Sequence, residues 1–76
     1  MNKVRRKALQ KIYDTLASTK DDLEQLRDEE GEYMENIPEN LQNSERYETA
    51  ETSVENMDSA IQSIDEAMDY IEESIQ

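Results

Sequence analysis

The chain has no cysteine, no histidine, no tryptophan and no phenylalanine, and a single glycine and a single proline in 76 residues. Each absence removes a class of chemistry. Without cysteine there is no disulfide framework, no thiolate nucleophile and no cysteine-ligated zinc. Without histidine the chain lacks the side chain that titrates near neutral pH and the commonest zinc ligand. With Gly31 as the one glycine, no glycine-rich loop can cradle a phosphate. No run approaches the roughly 18 apolar residues of a membrane span. The basic stretch from Asn2 to Lys11 is not followed by the apolar core of a secretory signal. A soluble, cytoplasmic protein is expected.

Apolar residues are also scarce. Leu, Ile, Val and Phe supply only 13 of the 76 residues, and 20 Asp and Glu against 8 Lys and Arg leave a formal charge of −12. Fewer than roughly 20% of those four residues, together with a high net charge, is the composition of a disordered chain. The order of the residues argues the opposite. Leu9, Ile12, Leu16, Thr19, Leu23, Leu26, Glu30, Tyr33 and Ile37 follow one another at steps of three and four. Tyr47, Ala50, Val54, Met57, Ile61, Ile64, Met68, Ile71 and Ile75 do the same. Sixteen of these 18 positions are apolar or aromatic, the exceptions being Thr19 and Glu30. Such ladders give each of two helices a narrow coiled-coil seam, with Leu9 and Tyr47 at heptad position a and Ile12 and Ala50 at d.

Pro38 separates the ladders, because it cannot sit in a helix interior and drives Ile37 out of the helical region. The expected architecture is all-α, an antiparallel two-helix hairpin of coiled-coil type in a single domain. Helix 1 should run over about 3–36, a connection with a short helical turn over 37–43, and helix 2 over about 44–75. Asn36 and Glu39 read as a variant capping box for the short turn, and Asn43 or Ser44 as the cap of helix 2. Leu41 can staple the entry into helix 2. Gly31, beside the seam acid Glu30, makes that part of helix 1 the weakest and the place for a kink.

The flanking heptad positions support antiparallel pairing, in which e faces e. Helix 1 has Lys20 and Arg27 at e; helix 2 has Glu51, Asp58, Asp65 and Glu72. Lys20 should reach Asp58 or Asp65, and Arg27 should reach Asp58 or Glu51. Tyr33 and Tyr47 should meet in the core near the loop. The g positions of helix 2, Ser53, Ala60, Ala67 and Ser74, are all small. With Tyr13 and Tyr70 they are a candidate strip for a second copy, making a homodimeric four-helix bundle, or for a partner helix.

Charge is segregated along the chain. Residues 1–13 hold five Lys and Arg and no acid, while the remainder holds three bases and all 20 acids. Closing the hairpin should set Lys3, Arg5 and Arg6 beside Asp69, Glu72 and Glu73. The loop end has no such compensation. Asp28, Glu29, Glu30, Glu32, Glu35 and Glu39 form a run without a base, followed by Glu45, Glu48 and Glu51 with only Arg46 among them. With Asp58 and Asp65 these are the candidate partner-binding carboxylates.

Catalytic machinery is not legible. Asp28-Glu29-Glu30-Gly31 lacks the ligand spacing of a calcium loop, the serines have no histidine to activate them, and a two-helix hairpin offers no pocket to shift carboxylate pKa values. No catalytic residue, metal site or cofactor is expected, and the protein should not be an enzyme.

From Leu26-Arg27-Asp28-Glu29-Glu30 through Ile37-Pro38-Glu39-Asn40-Leu41-Gln42-Asn43-Ser44-Glu45-Arg46, the chain resembles a family of small acidic helical proteins of phages and mobile elements of Gram-positive bacteria, mostly without an assigned activity. The resemblance covers about residues 20–75 and implies the cytoplasm of a bacterial host. In that setting the expected role is a non-catalytic inhibitor that binds a basic, nucleic-acid-handling host protein by charge mimicry, of the anti-CRISPR or anti-restriction type. The alternatives are a structural or adaptor module acting as a homodimer, and nucleic-acid binding through Lys3, Arg5, Arg6, Lys7 and Lys11.

Overall fold

Asn2 starts the first helix. Its side-chain oxygen accepts a hydrogen bond from the Arg5 backbone N–H at 2.8 Å, which satisfies one of the donors a helix N-terminus leaves open. In the computed structural model, which describes residues 1–76, helix α1 then runs from Lys3 to Glu35, a single 3-10 turn covers Glu39–Leu41, and helix α2 spans Glu45–Ile75. The two helices pack antiparallel as an all-α hairpin, a rod of 59 × 15 × 13 Å.

The connection closes through local bonds. The Asn36 N–H donates to Glu32 O at 3.0 Å and the Ile37 N–H to Met34 O at 3.2 Å, ending α1; the Leu41 N–H donates to Pro38 O at 2.8 Å and the Ser44 N–H to Leu41 O at 3.0 Å. Ser44 caps α2 as expected, its hydroxyl oxygen accepting from the Tyr47 N–H at 3.3 Å. The capping box does not form: Asn36 is the C-cap of α1, and Pro38, which precedes the short turn, makes no side-chain cap bond. Leu41 stays half-exposed. Ile37 is the buried residue of the connection, at 3% exposure.

The helix pairing shows the predicted flank. Lys20 Nζ lies 2.6 Å from Asp65 Oδ1, and Arg27 Nη1 lies 3.0 Å from Asp58 Oδ1. These are e-to-e pairs, and they fix orientation and register together.

The seam of α1 is not the predicted one. The half-buried residues of α1 include Leu9, Tyr13, Leu16, Lys20, Leu23, Arg27, Glu30 and Met34. They are the a and e columns. The predicted d column stands out of the contact: Ile12 is 50% exposed, Leu26 56% and Tyr33 46%, and Thr19 is exposed too. Helix α1 is thus rolled by roughly 50° from an a/d contact. The roll carries Lys20 and Arg27 onto the carboxylates of α2 while their methylene stems line the contact, and Tyr13 and Met34 give the e column an apolar residue at each end. Helix α2 keeps its predicted seam, with Ala50, Ile61 and Met68 buried. The expectation that Tyr33 meets Tyr47 in the core is overturned by the same roll.

Helix α1 continues through Gly31 without interruption. A Cβ built on Gly31 would meet nothing within 4 Å, and its φ is not positive. Gly31→Ala therefore removes backbone freedom from the unfolded chain at no steric cost. It should stabilise the fold by about 0.5–1 kcal/mol, read as a higher midpoint when thermal unfolding is followed by circular dichroism.

Candidate interaction surface

The acidic loop end is formed by the last turns of α1, the connection and the first turns of α2. Between residues 28 and 51 there are nine carboxylates and one base, Arg46. Glu29, Glu32, Glu35, Glu39, Glu45, Glu48 and Glu51 are exposed and lie in no ion pair; Glu29 accepts only a long bond from the Gln25 amide at 3.5 Å.

The other candidate carboxylates stand apart from these seven. Asp58 and Asp65 hold Arg27 and Lys20 across the helices, and Asp28 shares Arg27 at 3.1 Å. They belong to the internal pairing of the hairpin. Hydrogen bonding to Asp65 raises the pKa of Lys20, and bonding to Asp58 and then Asp28 raises that of Arg27. The lysine contribution is therefore complete below the ordinary lysine range and disappears as pH climbs through the raised value. Glu30 is half-buried and lines a groove with Tyr33, Glu45, Arg46, Thr49 and Ala50.

Arg46 is the residue whose part was not foreseen. Its guanidinium carbon sits 5.7 Å from the centroid of the Tyr33 ring, a cation–π contact worth about 0.5–1 kcal/mol at an exposed site. The signal was present: Tyr33 is at d of α1 and Arg46 at g of α2, and antiparallel pairing brings those columns to one flank.

At the open end, Lys3, Arg5, Arg6, Lys7 and Lys11 make no ion pair, so the contacts expected with Asp69, Glu72 and Glu73 do not form. The Arg6 guanidinium instead donates to the Met1 carbonyl at 2.9 Å. The two tyrosines of the candidate strip separate. Tyr13 lies on the e flank, lining a groove with Gln10, Glu72, Ile75 and Gln76. Tyr70, at c of α2, is 72% exposed and keeps company with the small g column. In that column Ser53 is half-buried, while Ala60, Ala67 and Ser74 are exposed.

No three carboxylates converge closely enough to hold a metal ion. No helix is long and apolar enough to cross a membrane. No family model, curated protein or solved structure matches the chain.

Proposed function

We propose that this protein is a non-catalytic interaction module whose acidic loop end occupies the basic, nucleic-acid-binding surface of another protein. The observation that carries this reading is the set of seven exposed, unpaired carboxylates gathered at one tip of a slim rod. Their spacing supports it. Glu29, Glu32 and Glu35 follow one another on α1 at an axial interval of roughly 4.5 Å, of the same order as the ~3.4 Å of helix axis per phosphate on one DNA strand. A host protein that normally grips nucleic acid, such as a bacterial defence nuclease, is the partner class this chemistry fits. The resemblance to proteins of phages and mobile elements makes inhibition the natural outcome.

Affinity capture from a bacterial lysate tests the reading. The tagged protein should retain basic nucleic-acid-binding proteins at low salt. It should lose them at high salt, and lose them when Glu32, Glu35 and Glu48 are all changed to Gln. Retention of only neutral or acidic proteins, indifferent to salt and to these changes, would refute it.

A further inference from the structure

The roll of α1 leaves one flank of the hairpin without a partner. The e columns meet at Lys20–Asp65 and Arg27–Asp58. Antiparallel geometry therefore puts the d and g columns of α1 and the g and c columns of α2 together on the opposite flank, and the Tyr33–Arg46 contact lies there. This flank carries Ile12, Leu26 and Tyr33 from α1, all half-exposed. Ala60, Ala67 and Tyr70 come from α2, all exposed. Of the eighteen positions in these columns of the two helices, only Arg5, Asp22, Glu29 and Arg46 are charged, with no net charge, in a chain that is 37% charged.

We propose that this flank is the interface between two copies of the chain, packed antiparallel as a four-helix bundle. Charge selects the occupant and its direction. A second copy can cover the flank without bringing the acidic faces of either copy inward. Residues 1–13 and 66–76, at the open end, hold five bases and four acids, whereas residues 28–51, at the loop end, hold nine acids and one base. A parallel dimer would stack the two loop ends on each other. The antiparallel dimer sets each loop end against the other copy's open end, with Glu29 facing the unpaired cations between Arg5 and Lys11. Size agrees. A face 59 Å long and 13 Å wide covers a little under 800 Å² per copy, about what a standard stable interface buries on each side.

The arrangement has a definite register. Its twofold axis crosses the rod near Thr19 and Ala67, which the Lys20–Asp65 pair places at about one level of the hairpin. Ile12 of one copy then lies over Leu26 of the other, seven residues from the axis in each case. The bundle still exposes an acidic tip at each end, so this inference stands independently of the proposed partner.

Sedimentation of the full chain at high micromolar concentration should give twice the 8.9 kDa chain mass. The double variant Leu26→Glu with Ala60→Glu should sediment as a monomer with its helical circular dichroism retained, because both side chains are exposed within one hairpin. Direction is read from single cysteines, the native chain having none. Thr19→Cys should disulfide-link to itself on mild oxidation. Ile12→Cys should not, since the antiparallel register holds its two copies roughly 21 Å apart. A monomeric native chain, or a double variant that stays dimeric, overturns the interface; linking of Ile12→Cys as readily as Thr19→Cys overturns the antiparallel direction.

Discussion

Ile61→Ala should destabilise the protein by about 2–4 kcal/mol and leave much of the chain unfolded at room temperature. Only Ile37, Ala50, Ile61 and Met68 are buried in the hairpin, and a single core in a chain this short rarely supplies more than about 3–5 kcal/mol. Truncating a buried isoleucine loses its transfer free energy and leaves a cavity, which together cost about 2–5 kcal/mol. Two slim helices meeting along one line have few neighbours able to close over the gap, so the lower and middle part of that range applies. The matched control is Val4→Ala, since Val4 is exposed on the first turn of α1; it should change stability by less than about 0.5 kcal/mol. Urea titration followed at 222 nm separates the two. Equal losses at both positions would mean that the hairpin is not held by the contact described.

The second large effect concerns the loop end. Sodium chloride should stabilise this protein, against the common expectation for a fold with visible ion pairs. Asp28–Glu32, Glu29–Glu32, Glu32–Glu35, Glu45–Glu48 and Glu48–Glu51 are like-charge pairs three or four residues apart on helices. Each such pair destabilises by about 0.2–0.5 kcal/mol at low salt. Helix α1 has no basic residue in its last turn, so its dipole adds to the penalty. Opposing these are the pairs of Lys20 with Asp65 and Arg27 with Asp58, whose carboxylates are exposed and which are worth little. Shortening the screening length from ~30 Å at 0.01 M to only a few ångströms near 1 M should thus release on the order of 1–2 kcal/mol. That raises the unfolding midpoint by roughly 5–15 °C in a domain of this size. Chloride is the right anion for the test, since sulfate would strengthen apolar burial by itself. A midpoint that is flat or falls with salt would show that the cross-helix pairs outweigh the crowded carboxylates.

Both expectations rest on the same division of labour. The acids at the loop end contribute charge at a cost in stability, and the thin seam carries the fold. The seven exposed carboxylates are consequently the least protected part of the hairpin energetically and the part most available to a partner. Gly31 lies among them, so Gly31→Ala also asks whether the loop end must stay soft. A variant that is more stable but captures less partner would mean that it must.

Much of this was readable in the order of the residues. The two helices, the break at Pro38, a cap at Asn43 or Ser44 and the pairing of Lys20 with Asp58 or Asp65 and of Arg27 with Asp58 or Glu51 follow from local rules of spacing, turn chemistry and the e-to-e geometry of antiparallel helices; packing chose Ser44, Asp65 and Asp58 among them. The N-cap at Asn2 was not among the expectations, although asparagine is among the preferred capping residues. Local rules do not set how far a helix turns about its own axis. In α1 the d column of Ile12, Leu26 and Tyr33 and the e column of Tyr13, Lys20, Arg27 and Met34 compete for the same contact. On apolarity alone the d column wins. Only the packed pair reveals that the long stems of Lys20 and Arg27 cover the seam well enough to turn α1 toward Asp58 and Asp65. The scarcity of apolar residues thus determined that the core would be one line wide. The tertiary structure decided which residues lie on that line, and with it that Ile12, Leu26 and Tyr33 stay exposed on the opposite flank.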